Sequence, residues 1–97
     1  MKTFPEIQKI IHAHAGELHN RFGITKLSVF GSIVRGEAHE GSDVDILAEF
    51  DRPVSLFDLV GAENYLIDLL EMDVDLIPRR SVRHELKDRI FSEAVAV

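Results

Sequence analysis

The sequence contains no cysteine, which excludes a disulfide framework and a thiolate metal site. No apolar run approaches the ~20 residues that a helix needs to cross a bilayer. The opening residues, Met-Lys-Thr-Phe-Pro-Glu, lack the apolar segment of a secretory signal. From these absences we predict a cytoplasmic protein without a membrane partner.

Basic residues are scarce: 11 Lys and Arg stand against 17 Asp and Glu, for a formal net charge of −6. Long nucleic acids are held largely by Lys and Arg that neutralise phosphates, so this balance argues against such a partner. A small polyanion is still allowed if a divalent metal accompanies it and supplies positive charge. The length of 97 residues fits a single domain with one core and no separate substrate lobe.

Hydrophobic periodicity and turn residues divide the chain into seven elements. Gly23 closes the first helix, Ser55 with Asp58 forms a capping box for the third, and Ser81 caps the last. The predicted helices span about residues 5–21, 32–35, 55–70 and 81 onward, and the predicted strands span about 26–30, 43–50 and 73–77. We therefore predict one domain of residues 1–97 in the α/β (α+β) class. It has a three-stranded mixed sheet flanked by about four helices in the order α-β-α-β-α-β-α.

Two aspartates two residues apart provide the clearest chemical signal. Asp43 and Asp45 fall on a predicted strand, so their side chains project from the same face. At a separation of ~5 Å and an effective dielectric constant of ~20, two carboxylates repel by ~3 kcal/mol. Magnesium would compensate this cost, because it is a hard ion held by carboxylates together with phosphate oxygens. Asp75 on the next strand is the natural third ligand, and Asp73 is its rival.

A second signal precedes the aspartates at the end of the first strand. Gly31 allows a phosphate to approach the backbone closely, and the Ser32 hydroxyl adds a hydrogen-bond donor. Backbone N–H groups at the start of the next helix favour an anion. Arg35 follows one turn later, and its planar guanidinium could donate two hydrogen bonds to a phosphate. The alternative is that Gly31 is a turn residue, Ser32 an N-cap and Arg35 a surface charge.

The two signals together resemble a known signature. Residues 30–36 read Phe-Gly-Ser-Ile-Val-Arg-Gly and residues 42–47 read Ser-Asp-Val-Asp-Ile-Leu. This stretch is similar to the Gly-Ser and Asp-x-Asp motifs of the DNA-polymerase-beta-like nucleotidyltransferases, and most of all to the minimal nucleotidyltransferase (MNT) branch. The later Val-Asp-Leu-Ile-Pro at residues 74–78 resembles the segment that carries the third carboxylate of that family.

The resemblance implies a specific reaction. Gly31, Ser32 and Arg35 would bind the β- and γ-phosphates of ATP, while Asp43, Asp45 and Asp75 would hold two Mg²⁺ ions. The branch is known as the antitoxin of paired toxin–antitoxin systems, in which it attaches AMP to a tyrosine of a HEPN-type toxin. Two alternatives stay open: a non-catalytic antitoxin that neutralises its toxin by binding, and transfer to a small molecule such as an aminoglycoside.

Two further features point to partners. The third predicted helix carries more apolar side chains than one helical stripe requires, which suggests self-association or contact with the toxin. Arg79 and Arg80 follow the third strand close to Asp75, where they could contact the triphosphate or an acidic partner, or lie in a solvated turn. The apolar side chains in question are Leu56, Phe57, Leu59, Val60, Leu66, Ile67, Leu69 and Leu70.

Overall fold

The computed structural model describes residues 2–97. Five α-helices and four strands occur in this range, with two 3-10 turns between the third strand and the last helix. The helices are α1 (Phe4–Ala13), α2 (Ala15–Phe22), α3 (Ser32–Arg35), α4 (Leu56–Leu70) and α5 (Lys87–Glu93). The strands are β1 (Ile24–Phe30), β2 (Val44–Phe50), β3 (Val74–Pro78) and β4 (Val95–Ala96), and the 3-10 turns are Arg79–Ser81 and His84–Leu86.

The described strands form one mixed sheet in the order β3-β2-β1-β4. Strand β1 is antiparallel to both β2 and β4, whereas β2 and β3 are parallel. Parallel neighbours need a crossover connection, and α4 supplies it. Asp45 lies opposite Phe30 in β1 and opposite Asp75 in β3. The sheet therefore brings the end of β1 to the starts of β2 and β3.

The two faces of β2 are buried in different clusters. Val44, Ile46 and Ala48 pack with side chains from α1, α2 and α4 in the main core. Leu47 points to the opposite face, where it packs with Phe30 and Val82 beneath α5. Burial of each large side chain contributes about 1.5–3 kcal/mol. The predicted α+β class and mixed sheet are confirmed.

The prediction of one helix over residues 5–21 is wrong. The helix breaks at His14, whose backbone has φ −111° and ψ 12°, and a second helix begins at Ala15. The His14 ring Nδ1 lies 2.9 Å from the carbonyl oxygen of Ile10. Ile11 and Leu18, which lie on either side of the break, are both buried in the main core. Gly23 ends α2 with φ +74°, as predicted.

The C-terminal part of the chain also differs from its prediction. Ser81 does not cap a helix, because it closes a 3-10 turn and the following Val82 is extended. The last helix begins only at Lys87. In this extended stretch Val82 is buried against Phe30. The predicted count of three strands is wrong by one, since β4 pairs with Ser28 and Val29 of β1.

Helix α4 begins with the predicted capping box, in which the Ser55 hydroxyl accepts from the Asp58 N–H and the Asp58 carboxylate accepts from the Ser55 N–H. Its inner face places Leu66 and Leu70 in the main core. Phe57 at its N-terminal end is 90% exposed. Within residues 2–97, no helix has the length and apolar character that crossing a bilayer demands.

Candidate active site

Three carboxylates lie at one end of the sheet. Asp45 and Asp75 face each other directly across the parallel pair β2 and β3, and Asp43 is exposed just before β2. The intervening Val44 and its partner Val74 are buried in the core. Because side chains alternate along a strand, burial of these valines turns the aspartates to the opposite face. The structure thus places the predicted acids on neighbouring strands at the same level.

The surroundings of Asp45 disfavour the ionised form of its carboxylate. Burial raises its pKa above the ordinary value of 3.8, and the negative charges of Asp75 and Asp43 raise it further. Arg35 lowers it, but not enough to reverse the shift. A cation at this position would remove the repulsion between the carboxylates. The donor set, made of carboxylate oxygens alone, suits a hard ion such as Mg²⁺.

The three acids do not form a closed metal site in the described structure. Among residues 2–97, no group of three or more His, Asp or Glu side chains has an arrangement that could hold a metal ion. The assignment of Asp43, Asp45 and Asp75 as ligands therefore stays a prediction. Asp75 is favoured over Asp73, because Asp75 is the residue that lies opposite Asp45 and acts on its charge.

Gly31 connects the end of β1 to these acids. Its backbone has φ 82° and ψ −157°, a region that only glycine occupies readily. A Cβ atom at this position would overlap the Asp45 carboxylate. Glycine is therefore required here for two reasons, the backbone conformation and the close approach of Asp45. The predicted phosphate-binding turn and the predicted metal-binding strand are in direct contact.

The donors of the predicted phosphate-binding turn already have an anionic partner. The Gly31 N–H donates to Glu93 Oε2 at 3.0 Å, and Arg35 Nη1 donates to Glu93 Oε1 at 2.6 Å. The Arg35 guanidinium and the Gly31 N–H hold the pKa of Glu93 below its ordinary value. Ser32 begins α3 and is half-buried beside them. Arg35 makes a second, longer contact from Nε to Glu37 Oε2 at 3.3 Å.

Glu93 is a site residue that sequence reasoning missed. It lies 62 positions from Gly31 and belongs to α5, the last helix. No local pattern marks it, because its role depends on how α5 packs over β1 and β2. Ser32 and Arg35 do lie beside Gly31, as predicted from their spacing, although Arg35 faces Glu93 rather than open solvent.

Arg79 and Arg80 line a separate cavity on the same face of the sheet. The cavity measures about 390 Å³ and also includes Arg52 and Lys87. The Arg79 guanidinium stacks 4.0 Å from the centre of the Phe91 ring and lies 3.8 Å from Glu49 Oε2. Glu49 is four residues beyond Asp45 on β2, a distance of about 13 Å along a strand. Arg79 therefore lies beside the end of β2 that is away from Asp45.

Comparison with known proteins agrees with this geometry. A family model described as a nucleotidyltransferase domain matches residues 11–97. The chain is 44% identical over 97 residues to the protein adenylyltransferase MntA of Thermococcus cleftensis, and the match covers all of this chain and 98% of that protein. A solved structure described provisionally as a minimal nucleotidyltransferase superposes with a TM-score of 0.83 at 30% identity, covering 99% of this chain and 97% of that one.

More distant structures share the fold. One is a toxin–antitoxin structure with AMP-PNP, with a TM-score of 0.75, 22% identity and coverage of 92% of this chain and 70% of that one. Another contains a tri-AMPylated HEPN toxin of Shewanella oneidensis in complex with its MNT antitoxin, with a TM-score of 0.68, 19% identity and coverage of 93% and 70%. The match over residues 11–97 and the 44% identity confirm the resemblance seen in the motifs: the chain belongs to the nucleotidyltransferase domain family, in its minimal, MntA-like branch.

Proposed function

We propose that this protein is a Mg²⁺-dependent protein adenylyltransferase, which transfers AMP from ATP to a tyrosine hydroxyl of a HEPN-type toxin and thereby acts as the antitoxin. The observation that carries the proposal is the position of Asp45. It lies opposite Asp75 and in contact with Gly31, so the acids adjoin the turn that would bind the triphosphate. This is the arrangement that nucleotidyl transfer requires.

The residues have distinct roles in this proposal. Asp43, Asp45 and Asp75 would hold two Mg²⁺ ions, which when bound stabilise negative charge on the entering and leaving oxygens. Gly31 through its N–H, Ser32 through its hydroxyl and Arg35 through its guanidinium bind the β- and γ-phosphates of ATP. These groups fix the direction of the α-phosphate relative to the attacking hydroxyl, which is how positioning contributes to phosphoryl transfer.

The transfer is an in-line displacement. The acceptor hydroxyl oxygen forms a bond to the α-phosphorus while the bond from that phosphorus to the bridging oxygen breaks. Pyrophosphate leaves with the electron pair of the broken bond. The proton of the hydroxyl passes to the Asp75 carboxylate, which is exposed and therefore returns it readily to water.

The choice of acceptor rests on the relatives. The Thermococcus cleftensis protein is named a protein adenylyltransferase, and the Shewanella oneidensis complex contains an AMPylated HEPN toxin. The chain itself offers an exposed apolar surface at the start of α4, made of Leu56, Phe57 and Val60, which suits contact with another protein.

The test is to purify the chain together with the product of its neighbouring gene, add ATP and Mg²⁺, and measure the intact mass of both proteins. The proposal predicts that the neighbour gains the mass of AMP on a tyrosine. The double variant Asp43→Asn with Asp45→Asn should lose transfer completely while it remains folded. Asp73→Asn is the matched control and should retain transfer.

Two outcomes would contradict the proposal. Full transfer by the double variant would exclude a role for the two acids. Protection of cells from the toxin by the double variant, at the level of the unmodified protein and without AMP on the toxin, would instead show neutralisation by binding alone.

A further inference from the structure

Glu93 occupies the place where an anionic ligand would be expected. Its two carboxylate oxygens accept hydrogen bonds from the Gly31 N–H at 3.0 Å and from Arg35 Nη1 at 2.6 Å. Gly31 and Arg35 are two of the three groups assigned above to the triphosphate. A carboxylate and a terminal phosphate present similar pairs of oxygen acceptors to such donors. The same donors cannot serve both anions at once.

The contact is specific rather than a loose surface ion pair. The Glu93 side chain is 18% exposed, and one of its oxygens is bound by a backbone N–H that cannot move away without moving β1. Arg35 and Gly31 together hold the pKa of Glu93 below its ordinary value, so the carboxylate is charged at neutral pH. A charged group held by two donors contributes more than an exposed ion pair does.

Glu93 also adds negative charge to the region around Asp45, where Asp43 and Asp75 already lie. Its charge is one of those that disfavour the ionised form of Asp45, together with Asp75 and Asp43. A triphosphate that enters this region must overcome repulsion from Glu93 and must also break its two hydrogen bonds. Both hydrogen bonds are made by the Glu93 carboxylate oxygens, so a rotation of this side chain is enough to free the two donors.

We propose that the Glu93 carboxylate is an internal competitor of the nucleotide: it occupies the phosphate position formed by the Gly31 N–H and Arg35 in the free protein and is displaced when the triphosphate binds. This inference rests on the proposed function, because it takes these donors to be the triphosphate site. It adds a regulatory residue to that site. Glu93 lowers nucleotide affinity and keeps Arg35 aligned while the site is free.

The experiment measures binding of tripolyphosphate without metal, so that it does not depend on transfer. Glu93→Gln keeps the length of the side chain and removes its charge, and Glu93→Ala removes the occupant altogether. Asp88→Asn is the matched control, since it removes one negative charge from the same helix at an exposed position. We expect both Glu93 variants to bind tripolyphosphate about tenfold more tightly than the unmodified protein, which corresponds to ~1.4 kcal/mol. Asp88→Asn should change affinity less than twofold.

A second measurement locates the binding. The backbone amide resonance of Gly31 should shift in Glu93→Ala relative to the unmodified protein, and should shift again when tripolyphosphate is added. Equal or weaker binding by the Glu93 variants would overturn the inference, and so would an unchanged Gly31 resonance at saturation. The proposed function fails separately, if the unmodified protein transfers no AMP although its Glu93 variants bind tripolyphosphate more tightly.

Discussion

Gly31 and Asp45 are packed so closely that a methyl group on Gly31 would overlap the Asp45 carboxylate. Gly31 directly follows β1, and Asp45 is in β2, across from the last residue of β1, Phe30. The proposed phosphate-binding turn and the acidic strand are therefore in direct contact, and a side chain added at Gly31 would displace Asp45.

A substitution at Gly31 should consequently affect both stability and chemistry. Gly31→Ala places a side chain at φ 82° and ψ −157°, a conformation that costs about 1–3 kcal/mol outside glycine. It should also push Asp45 out of place and reduce transfer by about 100-fold or more. Chemical denaturation and the rate of AMP transfer measure the two effects.

Gly36 provides the control for that prediction. It has φ +74°, but a methyl group added there would lie in open space, so Gly36→Ala isolates the backbone cost of about 1–2 kcal/mol. We expect Gly36→Ala to retain transfer at near-normal rates. Equal activity of the two variants would show that contact with Asp45 does not matter.

Asp45→Asn should stabilise the protein in the absence of metal. Burial and the neighbouring carboxylates oppose a charge on Asp45, and like charges on adjacent strands cost roughly 0.2–1 kcal/mol. Removal of ~0.5 kcal/mol of repulsion should raise the melting temperature at pH 7 by about 2–4 °C. Thermal unfolding in EDTA measures the change, and Asp73→Asn is the control.

Magnesium should reverse this difference in melting temperature between Asp45→Asn and the unmodified protein. Because the ion would relieve the repulsion in the unmodified protein, added Mg²⁺ should raise its melting temperature more than that of Asp45→Asn. A destabilised Asp45→Asn protein in EDTA would contradict the electrostatic explanation of the raised pKa.

The third carboxylate can be identified by a pair of variants. Asp75 lies opposite Asp45, whereas Asp73 precedes β3 and its carbonyl oxygen accepts a hydrogen bond from the Val44 N–H at 2.9 Å. Asp75→Asn should therefore lower the rate of AMP transfer by about 100-fold or more, and Asp73→Asn by less than threefold. The opposite ranking would assign the role to Asp73.

The loop after β2 should contribute an acid-sensitive part of the stability. Hydrogen bonds from Arg52 and from His19 lower the pKa of Asp51 from 3.8 to about 2. A carboxylate with a lowered folded-state pKa stabilises the protein above its unfolded-state pKa, and this contribution is lost as the pH falls from about 4 to about 2. The melting temperatures of the unmodified protein and Asp51→Asn should therefore differ most above about pH 5.

The same difference should disappear near pH 2. It should also shrink in high salt, because Asp51 is an exposed group whose interactions are screened. A difference that stays constant from pH 7 to pH 2 would show that Asp51 acts through packing rather than through its charge.

Features set by near neighbours in the chain were predictable. The capping box at Ser55, the left-handed Gly23 after α2 and the alternation of β2 each depend on residues within a few positions of one another. Burial of Val44 and Val74 sets which faces of β2 and β3 are turned to the core, so Asp45 and Asp75 project from the other face of the sheet. The choice of Asp75 as the third acid had this physical basis, whereas its position directly opposite Asp45 is known only from the structure.

Features set by distant packing were not predictable. The break between α1 and α2 at His14 involves no proline, so no turn residue at that position marks it. Strand β4 has two residues, too few for an alternation to be visible. The contact of Glu93 with Gly31 depends on the position of α5, which is fixed by burial of Val82, Ile90 and Phe91 against the sheet.

The stacking of Arg79 on Phe91 connects the turn after β3 to helix α5. Arg79 is four residues after Asp75, and Phe91 is two residues before Glu93. This stack at 4.0 Å therefore joins the segment that follows the proposed third acid to the helix that carries Glu93. A rigid-body shift of α5 would be transmitted to β3. A movement of α5 would therefore reach β3 both through this cation–aromatic contact and through the packing of Ile77 against the same cluster as Phe91.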